Sequence, residues 1–359
     1  MGLFSKKSVV GLDIGHHAIK AVQLERQGQD WKVLKTAVIA TPPDSIRDGV
    51  VVDAQAVTVA VKAMMREAHM NATTANIAIS GPSVFVRTVK MPKMAEATLR
   101  KSIRFEASRY VPGSPEDCYI EFEILGATED NQMEVLIVAA PKDIVNSLME
   151  AVEGAGLEVE IVEIEAFSMF RSLIEADKER DYSETTVALV DIGALMTNLS
   201  VVSGGRFSMT RSIPHGGNTL TDALKSYFKL EQADAEAGKA QLDIRELLDD
   251  KKPKENPPLR VLQPHLDELV REIRRSLNYF QSQQTEGQQA KQIDAVIVTG
   301  GGTKLTGLSQ YIGQKLSLEV CEAGVFSNPR FVHAGPPEET GLDLAIASGL
   351  AMRASAKAA

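Results

Sequence analysis

The chain has 359 residues, long enough for two domains that each bury a core. Hydrophobic residues make up 44% and charged residues 24%, ordinary values for a globular protein, and Lys+Arg 39 against Asp+Glu 48 leaves a net charge of -9, which argues against a general nucleic-acid binder. Cys118 and Cys321 match no metal-ligand spacing and fit a reducing cytoplasm, and no apolar run approaches the roughly 20 residues of a membrane span. At the start, Leu3 and Phe4 beside Lys6 and Lys7 read as a frayed terminus, with contact to an anionic membrane surface as the alternative.

The first element is the run Val9–Gly15, a buried strand entering a glycine-flanked turn that carries Asp13. Ile19–Glu25 and Trp31–Ala40 follow as strands, bounded by Gly28-Gln29-Asp30 and Pro42-Pro43-Asp44. Glycine on both sides lets the backbone approach a ligand, turn amides cradle phosphate, and Asp13 suits a magnesium ion held through water. Asp53–Met70 is an amphipathic helix with Ala56, Val57, Ala60, Val61, Met64 and Met65 on its apolar face. Asn76–Ser80 and Ser83–Met91 are strands. A helix, two strands, a helix and a strand then form a unit between Met91 and about Glu160. Arg100, Lys101, Arg104 and Arg109 on its first helix read as a solvated face, with an acidic partner or phospholipid as the alternative. Glu163–Glu175 is a helix.

Val187–Ala194 repeats the opening design, with Asp191 and Gly193 in the turn and Leu199–Val202 as the following strand. Strand Arg206–Ile213 leads to Gly216 and Gly217, which open the helix Thr219–Phe228 with free N-terminal amides; in the folds that the chain resembles, named below, such amides face the cleft. Leu230 to about Gln289 is charged and mostly helical, broken by the proline loop Lys251–Pro258. Its long helix Leu262–Gln284 has one apolar stripe and, on another face, Arg271, Glu272, Arg275 and Asn278. A third strand-then-glycine turn runs Ala295–Leu305 through Gly300, Gly301, Gly302 and Lys304, before helices Leu308–Lys315 and Asp343–Ala351. Three such turns in one order place a nucleotide's phosphates between the two aspartates and its adenosine against the glycines.

The order and wording of these turns resemble the phosphate-1, phosphate-2 and adenosine motifs of the actin-like ATPase superfamily. Over nearly the whole chain the likeness is to its FtsA-like branch, and within it to the PilM family of type IV pilus assembly. Gly11–Val22, Asp191–Val202, Ile213–Leu220, Glu272–Phe280 and Leu344–Arg353 carry it. The resemblance implies an α/β, actin-like (ribonuclease H-like) two-domain fold with a five-stranded mixed sheet in each large subdomain and an FtsA-type inserted 1C subdomain. The boundaries it implies are 1–87 and 161–185 for 1A, 88–160 for 1C, 186–222 and 291–359 for 2A, and 223–290 for 2B.

It also implies ATP with Mg2+ as cofactors. Phosphate contacts would come from Asp13, Gly15, His16, His17, Lys20, Asp191, Gly193, Thr197, Gly216 and Gly217, with Asp13 and Asp191 holding the metal. The adenosine would lie against Arg271, Arg275, Asn278, Gly300, Gly301, Gly302 and Lys304. His16 and His17 replace the usual Ser or Thr, so phosphate contact there falls to backbone amides. Glu165 would orient the attacking water, although alanine follows it where relatives carry proline, and turnover is expected to be slow or absent. The job implied is a scaffold on the cytoplasmic face of the inner membrane, binding the N-terminal cytoplasmic peptide of PilN in a groove between 1A and 1C. It would link PilN and PilO to the pilus motor ATPases in pilus biogenesis and twitching motility, with homo-oligomers possible. An FtsA-like division filament is the alternative, disfavoured by the short tail after Arg353, and a small-molecule kinase is a weaker one.

Overall fold

β-branched residues fill the opening runs, and such residues pack well on a pleated surface. β1 (Val9–Ile14) and β2 (Ala18–Gln27) form an antiparallel hairpin whose register sets Asp13 opposite Lys20. The structure, a computed structural model, describes residues 8–111, 113–128, 131–249, 255–283, 292–333 and 340–356. The N-terminal Leu3, Phe4, Lys6 and Lys7, the first half of the proline loop (251–254) and the end of the tail lie outside the described residues.

β3 (Asp30–Ala40) extends the sheet, and a small hairpin of β4 (Ile46–Arg47) and β5 (Val50–Val51) follows. α1 (Ala54–Glu67) starts where the Asp53 carboxylate accepts from the Ala56 amide at 2.9 Å, an N-cap. Of its expected stripe, Val57, Ala60, Val61, Met64 and Met65 are buried and Ala56 is half-buried. β6 (Thr74–Ile79), buried throughout, runs parallel to β1.

The inserted unit contains β7 (Phe85–Pro92), α2 (Glu96–Ala107), β8 (Cys118–Ala127) and β9 (Gln132–Pro141), with strand order β7-β9-β8. It has its own core around Met91, Leu99, Ile103, Met133 and Ile137. α3 (Lys142–Gly154) follows β9 directly but packs on α1, burying Ile144, Val145, Leu148, Ala151 and Val152 in the first half's core. β10 (Glu158–Ile164) then pairs with β6. The apolar faces of α3 and β10 are thus buried with the first half rather than in the inserted unit's own core. α4 (Glu165–Phe170) passes into a π turn at Arg171–Glu175, so the helix read over Glu163–Glu175 is neither as long nor as regular as its sequence suggests.

The second half repeats the plan. β11 (Thr186–Ile192), β12 (Thr197–Ser203) and β13 (Arg206–Ile213) are antiparallel neighbours. α5 (Gly217–Phe228), α6 (Gln232–Ala240) and the long α7 (Pro257–Ser282) follow, the last burying Leu262, Leu266, Leu269, Ile273 and Leu277. β14 (Ala295–Thr299), α8 (Leu308–Leu316) and β15 (Glu319–Glu322) complete a five-stranded sheet ordered β13-β12-β11-β14-β15.

Two late elements return to the first half. β16 (Phe331–Val332) pairs with β3 at Trp31, making the first sheet six-stranded rather than five, and α9 (Ala345–Ala356) lies against β1, β2 and α4. A Cβ on Gly11 would overlap the Ala347 carbonyl, and one on Gly349 the Ser168 carbonyl, so both glycines are there for close approach. Between the halves lies a shared core of Val22, Leu24, Met169, Val187, Leu189, Ile297, Phe326 and Ala347.

Candidate functional site

Both aspartate turns sit at the ends of central strands. In the first, the Gly15 amide donates to the Ala18 carbonyl at 3.1 Å, and Thr41 fixes the turn from outside, hydroxyl to the Gly15 carbonyl (2.5 Å) and amide to the His17 carbonyl (3.0 Å). Asp13 is 5% exposed, and Lys20 Nζ lies 2.8 Å from its Oδ2. Burial opposes the Lys20 charge, but Asp13 outweighs it and raises the ammonium above its ordinary value.

In the second turn the Gly193 amide donates to the Met196 carbonyl at 2.9 Å. The third turn packs directly on it: Gly300 has φ 89, and a Cβ there would overlap Asp191 Oδ1. The Gly300 amide donates to the Leu342 carbonyl at 2.7 Å, and Lys304 pairs with Asp343 at 2.8 Å. Burial pushes Asp191 up to about 6; Lys20 acts against this, while Asp13 and Asp343 add to it.

Glu165, first residue of α4, reaches across the halves: Asn198 Nδ2 on β12 donates to its Oε2 at 2.8 Å, and Ser212 Oγ donates to Asn198 Oδ1 at 2.7 Å. Burial, then the charges of Asp13 and Asp191, push Glu165 up to about 8. Acids from both halves thus share one floor with Lys20 as the cation between them. Such a surplus of buried negative charge is relieved by a proton or a divalent ion. Among the described residues no group of three or more His, Cys, Asp or Glu could hold a metal, so an ion here needs phosphate oxygens and water to complete its shell. With Gly301 open to close approach, the residues fit a magnesium nucleotide.

Other expected residues are placed differently. The α5 amides are not free: Gly217 donates to the Gly193 carbonyl at 2.9 Å and Asn218 to the Ala194 carbonyl at 2.8 Å. The second turn therefore caps this helix, and a Cβ on Gly216 would stand 2.6 Å from the Ala194 oxygen. Thr197, fully buried, gives its hydroxyl proton to the His215 carbonyl at 2.7 Å. Arg271, Arg275 and Asn278 are exposed along α7, with Arg271 paired to Glu268 and Arg275 to Glu272 at 2.5 Å. His16 is pushed down by burial, against Asp48 and Asp13, and its Nε2 is buried without a hydrogen-bond partner. On α2, Arg100 and Arg104 pair with Glu96 and Glu116, and Arg109 just beyond its end pairs with Glu106, as a solvated face does.

Sequence reasoning missed a cluster beside Gly217. Lys239 Nζ lies 2.8 Å from Glu236 Oε2 and from Thr221 Oγ, and 3.2 Å from the Gly217 carbonyl. Burial works against the Glu236 charge, but the Lys239 and Thr221 hydrogen bonds hold it below its ordinary value, with His17 of the first turn adding to them. In sequence this is a Glu and a Lys three apart on a short helix, indistinguishable from a solvated pair.

The family model for type IV pilus assembly protein PilM matches residues 11–355. Cell division protein FtsA of Streptococcus pneumoniae is 21% identical over 362 residues, covering 90% of this chain and 78% of that protein. FtsA of Escherichia coli K12 is 22% identical over 346 residues, covering 85% and 81%. A solved PilM-PilN type IV pilus biogenesis complex is similar with a TM-score of 0.85 and 25% identity, covering 97% of this chain and 99% of that one. MreB5 of Spiroplasma citri bound to AMPPNP shares the fold alone, with a TM-score of 0.53, 13% identity and coverage of 99% and 98%. The architecture is that of the actin-like two-domain fold.

Proposed function

The chain belongs to the PilM family of type IV pilus assembly proteins, and from that premise we propose that it is an ATP-binding scaffold of the inner-membrane assembly platform. The observation that carries the nucleotide part is the meeting of Asp13, Asp191 and Glu165, from both halves, around Lys20. A magnesium nucleotide supplies the phosphate oxygens and the divalent charge that this acid surplus lacks. Asp13 and Asp191 hold the ion's waters, and Lys20 leaves Asp13 for a phosphate oxygen. Amides of His16 and His17, beside Gly15, would cradle the phosphates on one side, with Gly193, Thr197, Gly216 and Gly217 shaping the other. Gly300, Gly301, Gly302 and Lys304 approach the sugar, and Arg271, Arg275 and Asn278 meet the base. Glu165 orients water, in hydrolysis that is slow at most.

The partner is the N-terminal cytoplasmic peptide of PilN, seated between subdomains 1A and 1C. A relative that covers nearly all of this chain is found in complex with PilN, and that supports the reading. Through PilN and PilO the protein would link to the pilus motor ATPases, serving pilus biogenesis and twitching motility, and oligomers of the chain would form on the platform. Among the described residues no helix is long and apolar enough to cross a membrane. Attachment to the inner membrane is through partners in this reading. The FtsA relatives favour a second reading, a division filament.

Calorimetry tests the site: Asp13→Ala and Asp191→Ala are each expected to abolish magnesium-dependent ATP binding, and unchanged affinity would overturn the assignment. Capture from detergent-solubilised inner membranes separates the two readings. Enrichment of a single-span pilus protein supports the scaffold, and enrichment of the division tubulin supports the filament.

A further inference from the structure

Residues 41–52 join the first aspartate turn to the inserted unit through hydrogen bonds at both ends. At the near end Thr41 holds the carbonyls of Gly15 and His17. Each carbonyl shares a rigid peptide plane with the next residue's amide, so Gly15 moves with the His16 N–H and His17 with the Ala18 N–H. Ser45 then braces the segment. Its hydroxyl donates to the Pro42 carbonyl at 2.6 Å, and its own carbonyl accepts from the Val52 and Asp53 amides at 2.8 and 3.2 Å. The β4–β5 hairpin turns through Asp48 (φ 52) and Gly49 (φ 84), with the charge of Asp48 felt at His16.

At the far end the hairpin rests on α3. The Val51 amide donates to Ser147 Oγ at 3.1 Å, and Gly49 lies against Ile144. The next residue along, Asn146, is held by the inserted unit: the Tyr119 hydroxyl on β8 donates to Asn146 Oδ1 at 2.9 Å. Lys142 Nζ donates to the Glu116 carbonyl at 2.6 Å, and β9 passes into α3 at Pro141 without a loop. Asn146 and Ser147 are thus neighbours on one helix that face the inserted unit and the hairpin respectively.

We propose that residues 41–52 and α3 form a mechanical link that carries phosphate occupancy of the first turn to the orientation of the inserted unit. The proposal rests on the nucleotide reading above. Phosphate drawn to the His16 amide tilts the peptide plane whose carbonyl Thr41 holds. The tilt passes through the braced segment to Ser147, and α3 shifts the sheet that grows from its N-terminus. Coupling of this kind between two sites is reciprocal, so a peptide bound to the inserted unit alters nucleotide affinity by the same factor.

The test is hydrogen exchange of the full chain with and without magnesium ATP, beside calorimetry of the same samples. In the wild type, ATP is expected to change exchange in β8, β9 and α3. In Ser147→Ala, ATP affinity is expected to stay within about twofold while the change in β8 and β9 falls below about half. Thr41→Val, which cuts the link at its other end, is expected to lose the same change, and circular dichroism establishes that both variants fold. A full exchange change in Ser147→Ala with ATP bound overturns the link alone. So does a wild type that binds ATP with no change in the inserted unit. A wild type that gives no binding heat overturns the nucleotide reading and the link with it.

Discussion

Glu165 has an electrostatic position that its sequence context does not announce. Its unfolded carboxyl titrates near 4.5 and its folded one at about 8. Between these values the folded chain keeps a proton that the unfolded chain has released, so stability falls as pH rises from about 4.5 to about 8. Melts of the nucleotide-free protein are therefore expected to fall in temperature across this window, and Glu165→Gln to fall less; equal slopes would place the effect on other groups. Asp191 acts in the same direction between 3.8 and about 6. Lys20 is the counterweight, and Lys20→Met leaves Asp13 buried without its partner, a loss of about 3–5 kcal/mol by urea denaturation. The strand-end positions of Asp13, Asp191 and Gly300 were legible because buried apolar runs and glycine mark where a strand stops. Asp343 and the Glu236–Lys239 pair were not, since only tertiary packing sets them beside the turns.

At the scale of elements, amphipathic pattern predicts that a face is buried but not what covers it. That is why α3 reads as part of the inserted unit while its stripe packs on α1. The same limit hid the return of β16, two residues long, and the seating of α9 on β1 and β2. The α5 amides are a third case, since their acceptors lie on a turn distant in sequence. The α9 contact makes a sharp prediction. Gly11→Ala and Gly349→Ala each force a methyl group into backbone atoms, which cannot step aside as a side chain does, and each is expected to cost about 3 kcal/mol. Ala347 and Gly349 lie about 200° apart around α9, so a shift that relieves one overlap tightens the other and the double variant should cost more than the sum, which denaturant titration of all three variants checks.

For the whole molecule, a ligand that needs groups from both halves stabilises only the assembled pair. ATP with magnesium at a hundredfold above its Kd is expected to add about 2.7 kcal/mol to the unfolding free energy, and Asp13→Ala and Asp191→Ala should each remove that gain, read by thermal melts. The two-domain plan was legible because its two turns repeat; the way the halves are tied was not. The described chain passes between them over residues 176–185, again between β15 and β16, and again from Asp343 into α9. Several covalent ties that cross one shared core leave few degrees of freedom. Rocking of the halves about the ties is therefore expected to be easier than swivelling or parting. A protease that nicks one tie should leave two fragments that still migrate as one particle, because the remaining ties and the core of Leu24, Leu189 and Phe326 hold them together.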